Sequence, residues 1–481
     1  MNNVIERIAV IGGDEHAWSV AARLLVGLRG QGISIVVVDE EPEDPRGVIP
    51  MGLSAHSFHR KIGIDEPTVI RQMDGAYSYG VALKKENQDE DFFSFSPSGD
   101  LIDRVQFHHY VAKYRNGGGL VSLSDYNLAA LATKENRFAH PKPNSPLEKL
   151  DYAFNVSRKK YIDLLRTAVL ARDVSHVCSK VRSISRNDLS LVTALSLANN
   201  QSLEVDFVFD CTGLTGDTGW ESWGDYYSYD RQLRWIEGVD GSAPDSRLSL
   251  EQLELASHNY CSSAKHVDHC VSFSSRSLTD AGASELAAKL SPNFDEQRVN
   301  FLDRPPRIRA EFWHGNVLNI GANAGYAGNQ LFSDLYHTHS AIERWLELYP
   351  SKGENALLAK QYNTVCRQEY GHVRDAHAMV ISASQHCSRA ISLSKSLSHR
   401  LSLFEGIGSV AFYENDVLEP HQWVNLLCAL GCLPKRSDAL IDHLEQDDLH
   451  NLLVRVRTQL QAHVSELPDY DQLLNAIRQA S

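Results

Sequence analysis

The chain has 481 residues, 43% of them hydrophobic and 22% charged, with 30 Gly and 16 Pro. That length predicts two or three lobes at about 100–200 residues per domain, and the composition excludes collagen-like and largely disordered classes. A net charge of −14 argues against a nucleic-acid or anionic-membrane partner, and eight cysteines are too dilute for a disulfide scaffold.

No apolar run reaches the ~20 residues of a membrane-spanning helix. The N-terminus runs straight into a strand, without the basic, apolar and cleavage regions of a signal peptide. The expectation is a soluble, cytoplasmic protein with no membrane partner.

Residues 7–12 (RIAVIG) read as a buried parallel strand closed by glycine. Val20, Leu24 and Leu28 stand at helical spacing and predict a helix over 17–29. A second buried strand follows at 33–39 (ISIVVVD), which completes a βαβ unit and opens a doubly wound sheet. An acid- and proline-rich loop comes next. A proline-rich surface excursion is expected at 134–148, then a helix carrying Tyr161, Leu165 and Ala168, then a strand at 204–210 (EVDFVFD). Residues 224–250 are polar and turn-rich and read as an insertion. The strand 316–320 (NVLNI) leads to Gly321 and Gly325, and Leu335, His339, Ile342 and Leu346 then line one helix face. From about 355 onward the pattern is mostly helical, up to an amphipathic tail at 446–478.

The first βα turn reads Gly12-Gly13-Asp14-Glu15-His16-Ala17. In the dinucleotide fingerprint G-x-G-x-x-G/A, the first glycine makes the tight turn, the second admits the pyrophosphate and the third allows close helix–strand packing. Gly12 and Ala17 fit, but Asp14 stands at the second place, where its charge opposes a diphosphate at the helix N-terminus. Asp39 ends the second strand and suits a ribose-binding acid, although it lies 27 residues after Gly12 against the usual ~20. Asp210-Cys211-Thr212-Gly213 and Ile320-Gly321 close two further strands. Singly such glycines are ordinary turns; three strand ends on one parallel sheet point to a ligand outside their carboxyl ends. The bland alternative is a doubly wound sheet whose nucleotide site has decayed.

Other clusters carry less. His266, Asp268, His269 and Cys270 alternate sides along a strand, and His337 and His339 point about 200° apart on a helix, so no metal site is expected. Cys428 and Cys432 read as small apolar residues. No Gly-x-Ser-x-Gly elbow supports a hydrolase.

Taken in order, these motifs resemble the flavin-dependent tryptophan halogenases, relatives of the flavoprotein monooxygenases. Residues 62–77 (IGIDEPTVIRQMDGAY) look like the family's LGI…RQxNGAF stretch, and 205–214 like its D-x-x-x-D-C-S/T-G segment. Residues 272–289 look like its serine pair and Ala-rich helix, while Phe412-Tyr413 and Trp423…Gly431…Pro434 fit its closing helices. The resemblance implies an α/β fold: an FAD/NAD(P)-binding-type sheet domain over 1–350, with inserted substrate-side segments at about 65–150 and 224–300, and a mainly helical lobe over 351–481. It implies FAD, reduced by a separate flavin reductase, a small aromatic substrate and, as the family allows, a homodimer. FAD would rest on Gly12, Gly13, Ala17, Asp39, Gly47, Thr212, Gly213 and Gly321, with Asp14 weighing against it.

The resemblance also implies what is missing. In the family a lysine carries the oxidised halogen, and a glutamate stabilises charge on the ring or takes its proton. Here Ser78 stands at the lysine position and Leu331 at the glutamate position. Lys84 and Lys85 serve only if the backbone bends back. Phe332 and Ser333 replace the halide-binding Ser-Thr pair, and the W-x-W-x-I-P motif gives way to a stretch around 257–262. The GEAT-like segment is reduced to Gly47-Val48-Ile49-Pro50. Halogenation is therefore not expected. Three readings stay open, in this order: a flavin-dependent oxidoreductase, such as an oxygenase acting on an aromatic ring; a non-catalytic pseudoenzyme serving as a binding or partner protein; and, last, a halogenase whose catalytic residues have moved. Tyr77, Tyr79, Tyr326 and Phe332 are candidate pocket walls, with plain core as the commoner role for such aromatics.

Overall fold

The computed structural model describes residues 4–39, 47–85, 90–172, 174–214, 218–224, 226, 229–236, 249–255, 258–263, 268–273, 275, 278–290, 294–296, 299–328, 331, 333–353, 355–382 and 392–480. The fold is mixed α/β. The chain divides into two compact units, each assembled from three separate stretches: Met1–Gly75, Val156–Gly224 and Pro305–Gly371 in the first, and Ala76–Asn155, Asp225–Arg304 and His372–Ser481 in the second.

The first unit is organised by a six-stranded sheet. Strand β1 (Arg7–Ile11) lies between β2 (Ser34–Asp39) and Phe207–Asp210. Val174–Cys178 continues beyond β2, and Val317–Asn319 then Trp313–His314 continue beyond Phe207–Asp210. All pairings are parallel except the last, which is antiparallel. A parallel sheet is covered on both faces, which is why β1 is a run of apolar side chains rather than an alternation. Helix α1 (Glu15–Gly27) makes the crossover from β1 to β2 and buries Trp18, Val20, Ala21 and Leu24. Trp345, on the helix Leu335–Glu347, packs against Phe207 and Phe209 with ring centroids 5.0 and 4.9 Å apart. The segment 180–203 carries no element expected from the sequence. It holds an antiparallel meander of Val181–Arg186, Val192–Leu197 and Ser202–Glu204, whose Val181, Val192, Leu195 and Leu197 join Ala9, Ile11 and Val208 in one core.

The second unit contains a seven-stranded sheet in the order Val299–Asp303, Arg231–Ile236, Asp268–Phe273, His258–Ser263, Ser249–Leu255, Gly80–Lys85, Asp91–Ser94. Strand Arg231–Ile236 and the start of Ser249–Leu255 fall within 224–250, the stretch expected to be a polar, turn-rich insertion. Leu233 and Trp235 alternate with polar neighbours, and their side chains are buried against Val271, Phe273, Ala283 and Ala287. The polar residues between them masked a period of two. Beyond 355 the pattern is helical as expected, with Ala356–Ser382, Lys395–Ile407 and Pro420–Ala429. The tail is two helices rather than one, Gln446–Ser465 and Tyr470–Gln479. Pro468 lacks the amide to continue the first, and the Asp469 carboxylate caps the second by accepting from the Gln472 amide.

Candidate functional site

The strands of the first unit end level with one another. Ile11 lies opposite Asp210 on one side and Val38 on the other, and Asp210 lies opposite Asn319. The turns that leave them, at 12–14, 211–213 and 320–323, therefore gather at the carboxyl edge of the sheet, the usual ligand position of doubly wound folds. Gly12 has φ +135° and donates its amide to the Val38 carbonyl at 2.9 Å; a Cβ there would stand 3.0 Å from that of Cys211 and 3.3 Å from that of Ala17. The tight turn and the close helix–strand approach are thus both present. Gly13 is buried beside it.

Asp14 is the N-cap of α1. One carboxylate oxygen accepts from the His16 and Ala17 amides at 3.1 and 3.0 Å. These are the donors that a helix N-terminus offers to an anion. A diphosphate approaching this turn meets a carboxylate already in place, so the turn as arranged does not fit one. Burial raises the Asp14 carboxyl above its ordinary range, with His16, the Ala17 amide and Arg158 working against that rise.

The rest of the first turn is equally engaged. Glu15 is buried and paired with Arg158. His16 meets the Thr338 hydroxyl through Nδ1 at 2.7 Å, and its Nε2 lies 3.7 Å from Asp334. Burial draws the His16 imidazole down, but Asp334, Asp14 and Glu15 together lift it above its ordinary value. The ring lies over Gly321, where φ is +60° and a Cβ would come within 2.7 Å of an imidazole carbon.

The other expected cofactor residues also have partners within the chain. Asp39 is buried and its Oδ1 lies 2.7 Å from His176 Nε2. The Thr212 and Gly213 amides donate to Asp210 Oδ1 at 2.8 and 3.0 Å, and the Thr212 hydroxyl donates to the same atom at 2.9 Å. Gly47, at φ +105°, accepts from the Arg158 amide at 2.8 Å. The structure thus brings Gly12, Gly13, Ala17, Thr212, Gly213 and Gly321 to the edge where those turns gather. Cys211 is buried and its thiol is pushed well up by burial, which makes it inert packing.

Sequence reasoning missed a buried polar network under these turns. Arg309 donates to the Asn323 carbonyl at 2.9 Å and the Thr218 carbonyl at 2.7 Å, and also bonds Asn323 Oδ1. The Asn323 amide donates to the Asp210 carbonyl at 3.1 Å and to Asn319 Oδ1 at 2.7 Å. Asn323 stands just past the last core strand, in the Gly321–Gly325 turn. That position was a signal; the distant Arg309 offered none.

A model of the tryptophan halogenase family matches residues 7–446. The chain belongs to that family. Among solved structures, it is similar to BrvH, a flavin-dependent halogenase from Brevundimonas sp. BAL3, with TM-score 0.90, 21% identity and 98% of this chain and 99% of that one covered. It is similar to Xcc4156, a flavin-dependent halogenase from Xanthomonas campestris, with TM-score 0.89, 22% identity and 99% of each chain covered. It is also similar to a tryptophan 6-halogenase, SttH, from Streptomyces toxytricini, with TM-score 0.85, 14% identity and 98% and 100% covered. These likenesses show the fold. No curated protein matches the chain by sequence.

Within this tryptophan halogenase family member, Ser78 and Leu331, the residues expected at the lysine and glutamate positions, are a neutral and an apolar side chain. Ser78, on the second unit's strand Ala76–Ser78, is buried and donates its hydroxyl to the Gly80 carbonyl at 3.2 Å. Lys84 and Lys85 lie on the strand Gly80–Lys85, whose backbone runs extended beside Ser249–Leu255 and does not bend back. Leu331, in the first unit, is 2% exposed. Ser333 has a buried hydroxyl with no hydrogen-bond partner among the described residues, while its amide donates to the Pro50 carbonyl at 3.0 Å. Phe332 and Ser257 fall outside the described residues.

Tyr77 and Tyr79 are core residues: Tyr77 stacks on Phe138 at 4.2 Å and the Tyr79 hydroxyl donates to the Ala139 carbonyl at 2.7 Å. Tyr326 is likewise buried. His337 stacks on Tyr370 at 3.5 Å and His339 on Phe58 at 3.6 Å, each ring facing its own partner. Of the other candidate ligands, His266 is outside the described residues and His269 stacks on Trp235 at 4.8 Å. Among the described residues no group of three His, Cys, Asp or Glu side chains is placed to hold a metal, and no helix is long and apolar enough to cross a membrane.

Proposed function

We propose that this protein is a tryptophan halogenase relative that does not halogenate, that its nucleotide cleft is closed by its own side chains, and that it acts by binding rather than by flavin chemistry. The observation that carries the reading is the Asp14 carboxylate seated on the His16 and Ala17 amides at the head of α1. A helix N-terminus holds one anion on these donors, and here the anion is part of the chain. Three further facts support it. The Asp39 carboxylate is taken by His176, the Thr212 and Gly213 amides are taken by Asp210, and the His16 ring lies over Gly321. Ser78 and Leu331 can neither carry an oxidised halogen nor stabilise positive charge on a ring, so the reading does not depend on the cleft alone. No catalytic residue is assigned.

The test is titration with FAD. Purified protein is expected to be colourless, with affinity for added FAD weaker than about 100 μM, equivalent to less than about 5.5 kcal/mol. Asp14→Gly frees two amides and removes a like charge; it is expected to strengthen FAD binding tenfold or more. A yellow preparation, or micromolar binding by the unaltered chain, would favour the flavin-dependent oxidoreductase instead. Supplied with FAD, a flavin reductase, halide and indole, the protein is expected to yield no halogenated product by mass spectrometry.

A further inference from the structure

The second unit contains a cavity of about 620 Å³ that lies within that unit alone, between the segments 97–109, 409–410, 420–425 and 438. Its size falls in the range of small-molecule sites. The helix Phe107–Asn116 begins at this cavity. Its N-cap residue is Gln106, and no side chain caps it, so the positive end of the helix dipole is left to whatever the cavity holds.

Two side chains make this more than an uncapped helix. His109 is 7% exposed and lines the cavity, yet its buried Nδ1 has no hydrogen-bond partner among the described residues. A buried polar group without a partner is costly, and a ligand would satisfy it. Burial lowers the imidazole against the opposing charge of Asp438, and a neutral ring has one N–H to donate. Arg104 lines the same cavity, is exposed, and has no acidic partner among the described residues.

The backbone holds Arg104 in an uncommon position. Asp103 and Arg104 both have positive φ, 48° and 68°, at the corner of a turn closed by reciprocal bonds between Ile102 and Val105 at 3.1 and 2.8 Å. Neither residue is glycine, so the turn is strained, and strain of this kind persists where the surrounding structure imposes it. The Tyr110 hydroxyl fixes it by donating to the Ile102 carbonyl at 3.0 Å.

The two acids that line the cavity each have a partner of their own, and Asp438 also acts on His109. Asp100 pairs with Lys149 at 2.7 Å, and Asp438 accepts from the Leu440 amide at 2.9 Å. What remains unsatisfied is donor in character: a guanidinium, an imidazole N–H and the head of a helix. The remaining wall is mixed: Ser98, His108, His421 and Asn425 engage polar groups with partners within the chain, Phe107, Val410 and Val424 supply apolar surface, and the exposed Leu101 stands at the edge.

We propose that this cavity is a binding site for a small organic monocarboxylate with an apolar body, the carboxylate held by Arg104, His109 and the head of the helix Phe107–Asn116. The assignment goes beyond the closed nucleotide cleft and does not require it.

Octanoate is the probe. Isothermal titration of the full chain with octanoate is expected to show one saturable site with affinity better than ~1 mM. Octanamide and octylamine, with the same chain but no negative charge, are expected not to bind. Arg104→Gln should weaken octanoate at least tenfold through loss of a charge-assisted pair, and its unchanged thermal melt would show that it is folded. His109→Phe, which keeps the bulk and removes the donor, should weaken it several-fold. Failure to saturate would overturn the proposal. So would equal binding of octanamide, or full affinity in Arg104→Gln.

Discussion

Helix α1 begins on a carboxylate of its own chain, and the helix Phe107–Asn116 begins on none. Both present backbone amides at their N-termini, where an anion can be held. At the first, Asp14 fills the position, Glu15 pairs with Arg158, and His16 lies against Thr338 and Gly321. At the second, Arg104 has no acidic partner and His109 Nδ1 no hydrogen-bond partner among the described residues, while nearby Asp100 pairs with Lys149 and Asp438 accepts from the Leu440 amide. The difference shows how to judge an inherited site. A turn can keep its glycines and its backbone path and still lose the capacity to bind, because binding depends on donors that the protein has not already used.

The comparison predicts a graded series of effects. The largest is expected for Arg309→Ala, which strips partners from Asn323 and Thr218 in a buried network. A loss of about 3 kcal/mol in urea denaturation is expected from several buried acceptors left unsatisfied. A loss under about 1 kcal/mol would mean that the strand ends of the first unit are not held by this network.

Gly321→Ala comes next. A methyl group there combines a left-handed backbone with a 2.7 Å approach to the His16 ring, and about 2 kcal/mol is expected to be lost. His16→Ala should recover part of that in a double-mutant cycle, because the two residues touch. Strict additivity would show that the ring does not rest on the glycine.

A smaller effect tests the cap itself. Asp14→Ala should cost about 1 kcal/mol, and Asp14→Gly only a few tenths relative to aspartate. If the alanine variant is as stable as the unaltered protein, the carboxylate is not capping α1 and the contrast with Phe107–Asn116 disappears. Arg104→Gln, at the other helix, should change stability by less than about 0.5 kcal/mol, since an exposed side chain without a partner holds nothing in place.

The same cleft has a pH signature. His16 is raised in the folded state, so it stabilises the protein fully below its unfolded value of about 6.5 and progressively less as pH rises through the folded value. Thermal melts of the unaltered protein and His16→Gln between pH 5.5 and 8.5 should therefore converge as pH increases. A gap that is constant with pH would assign His16 a packing role alone.

Much of the first unit was readable along the chain. Periodicity located β1, α1, β2 and Phe207–Asp210, because parallel strands buried on both faces are continuous apolar runs and the crossover helix shows its apolar stripe. Gly12 and Ala17 were also readable, since their spacing reports a close approach that no other side chains allow. The second unit's sheet was less visible. Its strands carry polar residues between buried ones, and a strand such as Arg231–Ile236 declares itself only once Val271 and Phe273 are seen beside it.

The linear order of residues by itself determined the family, the doubly wound sheet and the presence of a negative charge in the phosphate turn, because each is a local pattern of size, polarity and spacing. Only the tertiary structure decided what that charge does. Whether an amide, a carboxylate or an imidazole is free to meet a ligand depends on partners far away in sequence: Asp39 is taken by His176, Arg309 reaches Asn323, and Arg104 meets no acid among the described residues. Hydrogen bonds and ion pairs are short-range in space and indifferent to separation along the chain, so the saturation of a site is settled by folding and not by its motif.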